Sequence, residues 1–197
     1  TALGGYAATA ITALTVQNTL GVSAVYPIPP EVVVAQAQAV LEDIGADAIK
    51  TGMLGEIATV EAVAGILEAA SLPAVIDPVM AAKGGTSLLA EQALEVVRRR
   101  LVPCAGLLTP NAPEAEALTG LAVEDLEGQR RAAEALLAMG ARAVLLKGGH
   151  VPGAQVIDLL VTPEGETAFE AAGLDTRHTH GTGCTLASPC PTGLAQG

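Results

Sequence analysis

Gly106-Leu107-Leu108-Thr109-Pro110-Asn111-Ala112-Pro113-Glu114 is the stretch that sets the fold. Gly106 to Leu108 reads as a short aliphatic strand that stops at Thr109-Pro110-Asn111, with helices following near Glu114 to Leu118 and Leu126 to Met139. The same unit recurs on both sides of it. Upstream, Ala74 to Ile76 is a strand ending at Asp77-Pro78, followed by a helix over Leu88 to Leu101 with Arg98, Arg99 and Arg100 in its last turn. Before that, Ala48 to Thr51 is a strand that leads through Gly52 and Gly55 into a helix over Thr59 to Ala70. Downstream, Ala143 to Leu146 ends at Lys147-Gly148-Gly149-His150. Strand–helix alternation of this kind predicts an α/β fold with a mostly parallel sheet covered on both faces.

The flanks complete the pattern. Ala7 to Val16 reads as a buried strand and Val22 to Ile28 as a second. Pro30 is placed to open a helix over Glu31 to Ile44, which Gly45 ends. Val156 to Val161 and Thr167 to Ala171 form an antiparallel pair around Pro163-Glu164-Gly165. No linker, repeat or low-complexity tract divides the chain, so residues 1–197 read as one domain. Polar residues gather where strands end, at Asp77, Asn111, Lys147 and His150, which is where open α/β sheets bind ligands.

Composition narrows the partners. The formal net charge is −11, and Tyr6, Tyr26 and Phe169 are the whole aromatic complement. A nucleic-acid partner needs a basic stripe or stacking rings, so none is expected. Apolar runs are broken by Gly, Pro or charge well before a membrane span is reached. Cys104, Cys184 and Cys190 are too few and too scattered for a disulfide framework, and a reducing, cytoplasmic setting is expected. With a globally acidic chain, an anionic ligand must be held by local dipoles and a few placed cations.

The strongest local motif is His180-Gly181-Thr182-Gly183-Cys184-Thr185-Leu186. Glycines let several N–H groups face one point, and a helix starting near Gly183 would add the positive end of its dipole. A cysteine in that field is a candidate base or nucleophile. A glycine turn that merely starts a helix beside an inert cysteine explains the same residues. Asn111 and Glu114 have the spacing of a capping box, the reading the motif favours when taken alone, and facing phosphate and a Mg²⁺-bound water is a role that can coexist with it. Asp77 is a turn residue or a carboxylate for a metal-bound water. Lys147 is a solvated loop lysine or a phosphate ligand. Gln17 caps a turn or reads an aminopyrimidine edge, and Met53 is core or pocket wall. His178 and His180 have metal spacing on a strand but suggest no third ligand.

Taken in order, the segments Ala10 to Thr19, Lys50 to Leu54, Val75 to Met80 with Lys83-Gly84, Leu108 to Asn111 with Glu114, Val144 to His150 and Thr179 to Thr185 span nearly the whole chain. Together they resemble the hydroxymethylpyrimidine and phosphomethylpyrimidine kinases of thiamine biosynthesis, in the ribokinase-like superfamily. The resemblance implies a three-layer α/β/α domain with a mostly parallel central sheet. It implies ATP- and Mg²⁺-dependent phosphorylation of 4-amino-5-hydroxymethyl-2-methylpyrimidine and its monophosphate. It assigns Gly181, Thr182, Gly183 and Cys184 to the anion hole, with Cys184 as base. Asp77 and Glu114 would organise Mg²⁺ through water, Asn111 and Lys147 would face the nucleotide phosphates, and Gln17, Thr15, Met53 and Val79 would line the pyrimidine pocket. Family analogy also implies a homodimer. The family carries a strand and substrate loop before Ala2-Leu3-Gly4 and helices beyond Gly197, so the chain reads as truncated at both ends. Pro189 and Pro191 interrupt what should be a helix after the anion hole, and are expected to disrupt an interior turn. A pyridoxal or pyridoxine kinase on the same fold and a non-catalytic pyrimidine-binding fragment are the competing readings.

Overall fold

The computed structural model describes residues 3–19, 21–80, 92–149, 151, 155–173 and 182–196. A six-stranded sheet organises the chain, in the order β3 (Ile49–Thr51), β4 (Ala74–Ile76), β5 (Leu107–Leu108), β6 (Val144–Leu146), β7 (Gln155–Thr162), β8 (Gly165–Ala172). The first four are parallel neighbours, and β7 and β8 add an antiparallel edge. Strand order follows chain order because each parallel step is bridged by helix, which carries the chain back to the sheet's starting edge. The helices α1 (Pro30–Asp43), α2 (Ile57–Ala70), α4 (Ala112–Thr119) and α5 (Leu126–Ala138) cover both sides. The inner strands β4 and β6 are buried on both faces, which is why Ala74-Val75-Ile76 and Val144-Leu145-Leu146 are continuous aliphatic runs without alternation. The core runs from Val60, Ala64 and Leu67 through Ile76, Leu108 and Leu146 to Leu136 and Leu159.

Two expectations are corrected. The first strand is not a buried run over Ala7 to Val16. It is β1 (Ala13–Asn18), paired only with β2 (Gly21–Pro27) in a separate two-stranded sheet and largely exposed. β-branched content marks a strand but does not say how many neighbours cover it. The helix expected over Leu88 to Leu101 lies outside the described residues before position 92. Its described part is one α turn, α3 (Ala93–Val96), which widens into a π turn over Val97–Leu101 and closes as a 3-10 turn over Val102–Cys104. Arg98 does not serve its own helix end. Its Nε donates to Leu118 O at 2.7 Å, and its Nη2 bonds Ala117 O, so it satisfies carbonyls at the end of α4.

The helix after the glycine–cysteine motif is interrupted where the prolines are expected to interrupt it, directly before Pro189. The helix divides at Ser188 alone, into α6 (Thr182–Ala187) and α7 (Pro189–Gln196). Both prolines fall in the first turn of α7, where N–H groups have no helical acceptor and a missing donor costs nothing. Ser188 N still reaches Cys184 O at 3.0 Å, so the two pieces stay joined.

At the end of β6 the backbone of Gly148 is pressed against β7. A methyl group on Gly148 would overlap the Ile157 carbonyl oxygen, backbone that cannot move without breaking the sheet. Gly148→Ala is expected to lower the unfolding free energy by about 1–3 kcal/mol or more. Urea unfolding of the two proteins checks this, and an unchanged midpoint would contradict so close a contact.

Candidate active site

The site grows from three strand ends that lie side by side. β4 ends at Asp77, whose amide donates to Thr51 O at 3.2 Å. β5 ends at Thr109-Pro110-Asn111, and Thr109 N donates to Ile76 O at 2.9 Å. β6 ends at Lys147, whose amide donates to Pro110 O at 2.8 Å, with a parallel bridge between Asn111 and Lys147. Sheet hydrogen bonding thus places Asp77, Asn111 and Lys147 at one edge, although 70 positions separate Asp77 from Lys147 in sequence.

Asp77 is 2% exposed. Lys147 Nζ donates to its Oδ1 at 3.0 Å, Thr109 Oγ1 donates to the same oxygen at 3.3 Å, and Lys50 Nζ stands 3.9 Å from Oδ2. A carboxylate this buried persists because two cations and a hydroxyl replace its water. Lys147, expected to be solvated or to bind phosphate, is 11% exposed and also lies 4.0 Å from Glu114 Oε2. One ammonium therefore bridges two carboxylates.

Asn111 and Glu114 do form the capping box at the start of α4. Glu114 N donates to Asn111 Oδ1 at 2.9 Å, and Asn111 N donates to Glu114 Oε2 at 2.8 Å. The cap does not exclude the second role, because the same Glu114 carboxylate faces Lys147. Burial pushes the Glu114 carboxyl above its ordinary 4.5, and the Asp77 charge adds to this. The Asn111 amide, the Lys147 ammonium and the Met80 amide pull it down without prevailing. The folded chain therefore holds this proton more tightly than the unfolded chain. Glu114's contribution to stability is full below about 4.5 and is lost as pH rises through the raised folded value. Glu114→Gln keeps an oxygen for the Asn111 amide and removes the titration. Its stability relative to the parent chain is expected to be greater at about pH 7 than at about pH 4. Urea midpoints at the two pH values test this, and a pH-independent difference would contradict it.

Two further groups face this edge. Gly183, in the first turn of α6, sits so close to Lys147 that a Cβ there would stand 3.3 Å from Nζ. That proximity brings the glycine–cysteine motif beside the carboxylate–lysine cluster. Cys184 is exposed, not sealed in aliphatic packing. Thr182 is described with them, while Gly181, His178 and His180 lie outside the described residues. The Asp77 charge reaches α7 as well, where it is one cause, after burial, of a raised Cys190 thiol. Beside Asp77 a small cleft, about the size of one water, is lined by Thr51, Gly52, Pro78 and Val79 and floored by core residues that include Leu54, Val60 and Ile76. Thr51 Oγ1 is buried there without a hydrogen-bond partner among the described residues.

The substrate candidates divide between two places. Val79 lines the cleft, and half-buried Met53 adjoins it in sequence, its carbonyl accepting Thr12 Oγ1 at 2.7 Å. Thr15 and Gln17 are exposed on β1, on either side of a shift in the β1–β2 register between Val16 and Gln17. The sequence reading missed Lys50 and Thr109, the other partners of Asp77. Lys50 carried a signal, a lysine at the end of an aliphatic strand, like Lys147. Thr109 carried none. Among the described residues no three metal-ligating side chains cluster, and no helix is long and apolar enough to cross a membrane.

Solved kinases share this architecture. Phosphomethylpyrimidine kinase from Clostridium difficile 630 superposes with a TM-score of 0.87 at 36% identity, covering 100% of this chain and 80% of that one. Pyridoxal kinase from Staphylococcus aureus, in complex with pyridoxal, superposes with a TM-score of 0.89 at 32% identity, covering 99% and 71%. The class is thereby defined as a ribokinase-like kinase. A family model described as phosphomethylpyrimidine kinase matches residues 1–197. The hydroxymethylpyrimidine/phosphomethylpyrimidine kinase of Streptomyces coelicolor is 50% identical over 196 residues, covering 100% of this chain and 72% of that relative. The chain belongs to the phosphomethylpyrimidine kinase family.

Proposed function

We propose that this chain transfers the γ-phosphoryl group of ATP to the hydroxymethyl oxygen of 4-amino-5-hydroxymethyl-2-methylpyrimidine, and then phosphorylates the monophosphate. The observation that carries the reading is Lys147: its Nζ lies 3.0 Å from Asp77 and 4.0 Å from Glu114, and a Cβ added to Gly183 would stand 3.3 Å from it. Phosphoryl transfer needs positioning and charge stabilisation more than covalent chemistry, and this arrangement offers both. The amides at the start of α6, through Gly183 and Cys184, receive the equatorial oxygens of the group in transit. Cys184, exposed beside them, takes the proton of the substrate hydroxyl. The freed oxygen attacks the γ-phosphorus, and the bond to the β–γ bridging oxygen breaks to leave ADP. Lys147 turns from the carboxylates to the nucleotide phosphates, with Asn111 beside it.

Two buried carboxylates that share one lysine fit Mg²⁺, which takes few protein carboxylates and keeps several waters. Asp77 and Glu114 would hold that ion through water, and it would supply positive charge to the phosphate oxygens. Val79 and Met53 form the apolar wall for the pyrimidine. Gln17 and Thr15 close over it, with the Gln17 amide reading the ring amine as donor and acceptor. The free thiols fit a reducing cytoplasm. The exposed apolar face of the two-stranded sheet, with Leu14 at 56%, Val16 at 52% and Tyr26 at 59%, supports a homodimer.

Steady-state rates with ATP separate the readings. The pyrimidine alcohol is expected to exceed pyridoxal by about 10²-fold in kcat/KM, since Gln17 is left unpaired by a ring without the amine. A preference for pyridoxal would assign the second activity, and binding without ADP release would leave a non-catalytic module.

A further inference from the structure

The loop after β6 is held by a side chain that touches none of the reacting groups. β6 pairs with β7 at Val144↔Val161, Leu145↔Leu160 and Leu146↔Leu159, and there the ladder stops. One more step in that register would set Lys147 opposite Asp158, and the next would set Gly148 opposite Ile157. The main chain does not continue that way. The Gly148 amide donates to the Asp158 side chain, at 2.8 Å from Oδ1. The Ile157 carbonyl, against which Gly148 lies, accepts Gln129 Nε2 of α5 at 3.0 Å. Gly148 O in turn accepts Val151 N at 2.9 Å. With Lys147 N on Pro110 O, both peptide groups that flank the Lys147–Gly148 junction are fixed.

We propose that Asp158 is a positioning residue for nucleotide binding: by holding the Gly148 amide, its carboxylate sets the backbone from which Lys147 reaches the phosphates. A charge-assisted bond to an amide is stronger than the ladder bond it replaces, and it lets the chain turn away from β7 without orphaning a half-buried donor. Glycine at 148 has no conformational preference of its own, so the anchor must come from outside the loop. Without the carboxylate the Gly148 amide loses its acceptor, the peptide after Lys147 is held only through its neighbours at Lys147 N and Gly148 O, and the direction in which the Lys147 side chain leaves the strand is less sharply set. The inference rests on the assignment of Lys147 to nucleotide phosphates.

The test compares the parent chain with Asp158→Ala and Asp158→Asn. Asparagine keeps an oxygen at the Oδ1 position and removes the charge. ADP affinity is measured by calorimetry, and KM is measured separately for ATP and for the pyrimidine. D158A is expected to weaken ADP and to raise the ATP KM by about tenfold, with the pyrimidine KM changed less than about twofold. D158N is expected to restore most of the affinity. Should D158A not fold, Asp158→Ser, one bond too short to reach the amide, takes its place. An ADP affinity equal to the parent's in the truncated variant overturns the proposal even if its unfolding midpoint falls, as does an asparagine variant no better than alanine. A parent chain that does not bind ADP overturns the kinase reading and this inference together.

Discussion

Replacing Cys184 by alanine is expected to reduce kcat by about 10²- to 10⁴-fold, the range set by loss of a positioned general base. The affinities for pyrimidine and ADP should change little, because the thiol is exposed and anchors neither α6 nor the strand ends. Ser188 N and Oγ bond the Cys184 carbonyl, which alanine retains, so the junction of α6 and α7 survives the change. Equal falls in kcat and kcat/KM mark an interaction made in the transition state. A variant with parental turnover would remove Cys184 as the base and leave the α6 amides as the whole of the contribution from that motif.

Lys147→Ala carries the second large effect, on two observables at once. The variant leaves the Asp77 carboxylate buried, with Lys50 at 3.9 Å and Thr109 at 3.3 Å as its remaining partners. Breaking a buried pair usually costs about 3–5 kcal/mol. Because Lys50 still neutralises part of the charge, a loss of about 2–3 kcal/mol in unfolding free energy is expected. Turnover should fall by about 10²- to 10³-fold through loss of a charge aimed at the transferring group, and ADP should bind more weakly. Denaturant unfolding and calorimetry read the two effects separately. A destabilised variant with parental ADP affinity would make Lys147 a structural counter-ion and no more.

The two variants also show which parts of the molecule were legible in its sequence. Ala74 to Ile76 stands out because a parallel strand buried on both faces is aliphatic throughout and must end where Asp77 begins. The β7–β8 pair is legible from Pro163-Glu164-Gly165 between two runs of strand formers, and the cap of α4 from the spacing of Asn111 and Glu114. All of these are local signals. Depth is not local. Ala13 to Asn18 carries the composition of a core strand yet forms half of an exposed two-stranded sheet, and Lys147 carries the composition of a loop yet lies buried between two carboxylates. Partnership across the sheet is equally hidden, since Lys50 and Thr109 meet Asp77 only once three strands are in register. Asp158 left a faint trace, the one charged residue in Val156-Ile157-Asp158-Leu159-Leu160-Val161, where a polar interruption of an aliphatic run marks a side chain with a fixed partner. The break in the last helix was legible too, because a proline pair inside a run of helix formers stops the helix ahead of it. One residue, Ser188, turns both into first-turn prolines.

The proposed mechanism requires the amides of Gly183 and Cys184, with Lys147 nearby, to be the seat of the transferred phosphoryl group. A crystal structure of the chain grown with ADP, Mg²⁺, aluminium fluoride and the pyrimidine alcohol tests this directly. The planar fluoride, standing in for the group in transit, is predicted to lie about 3 Å from those two amides, with Lys147 Nζ turned from Asp77 toward it and Cys184 Sγ beside the substrate oxygen. A fluoride bound away from α6, with Lys147 still paired to Asp77, would contradict it.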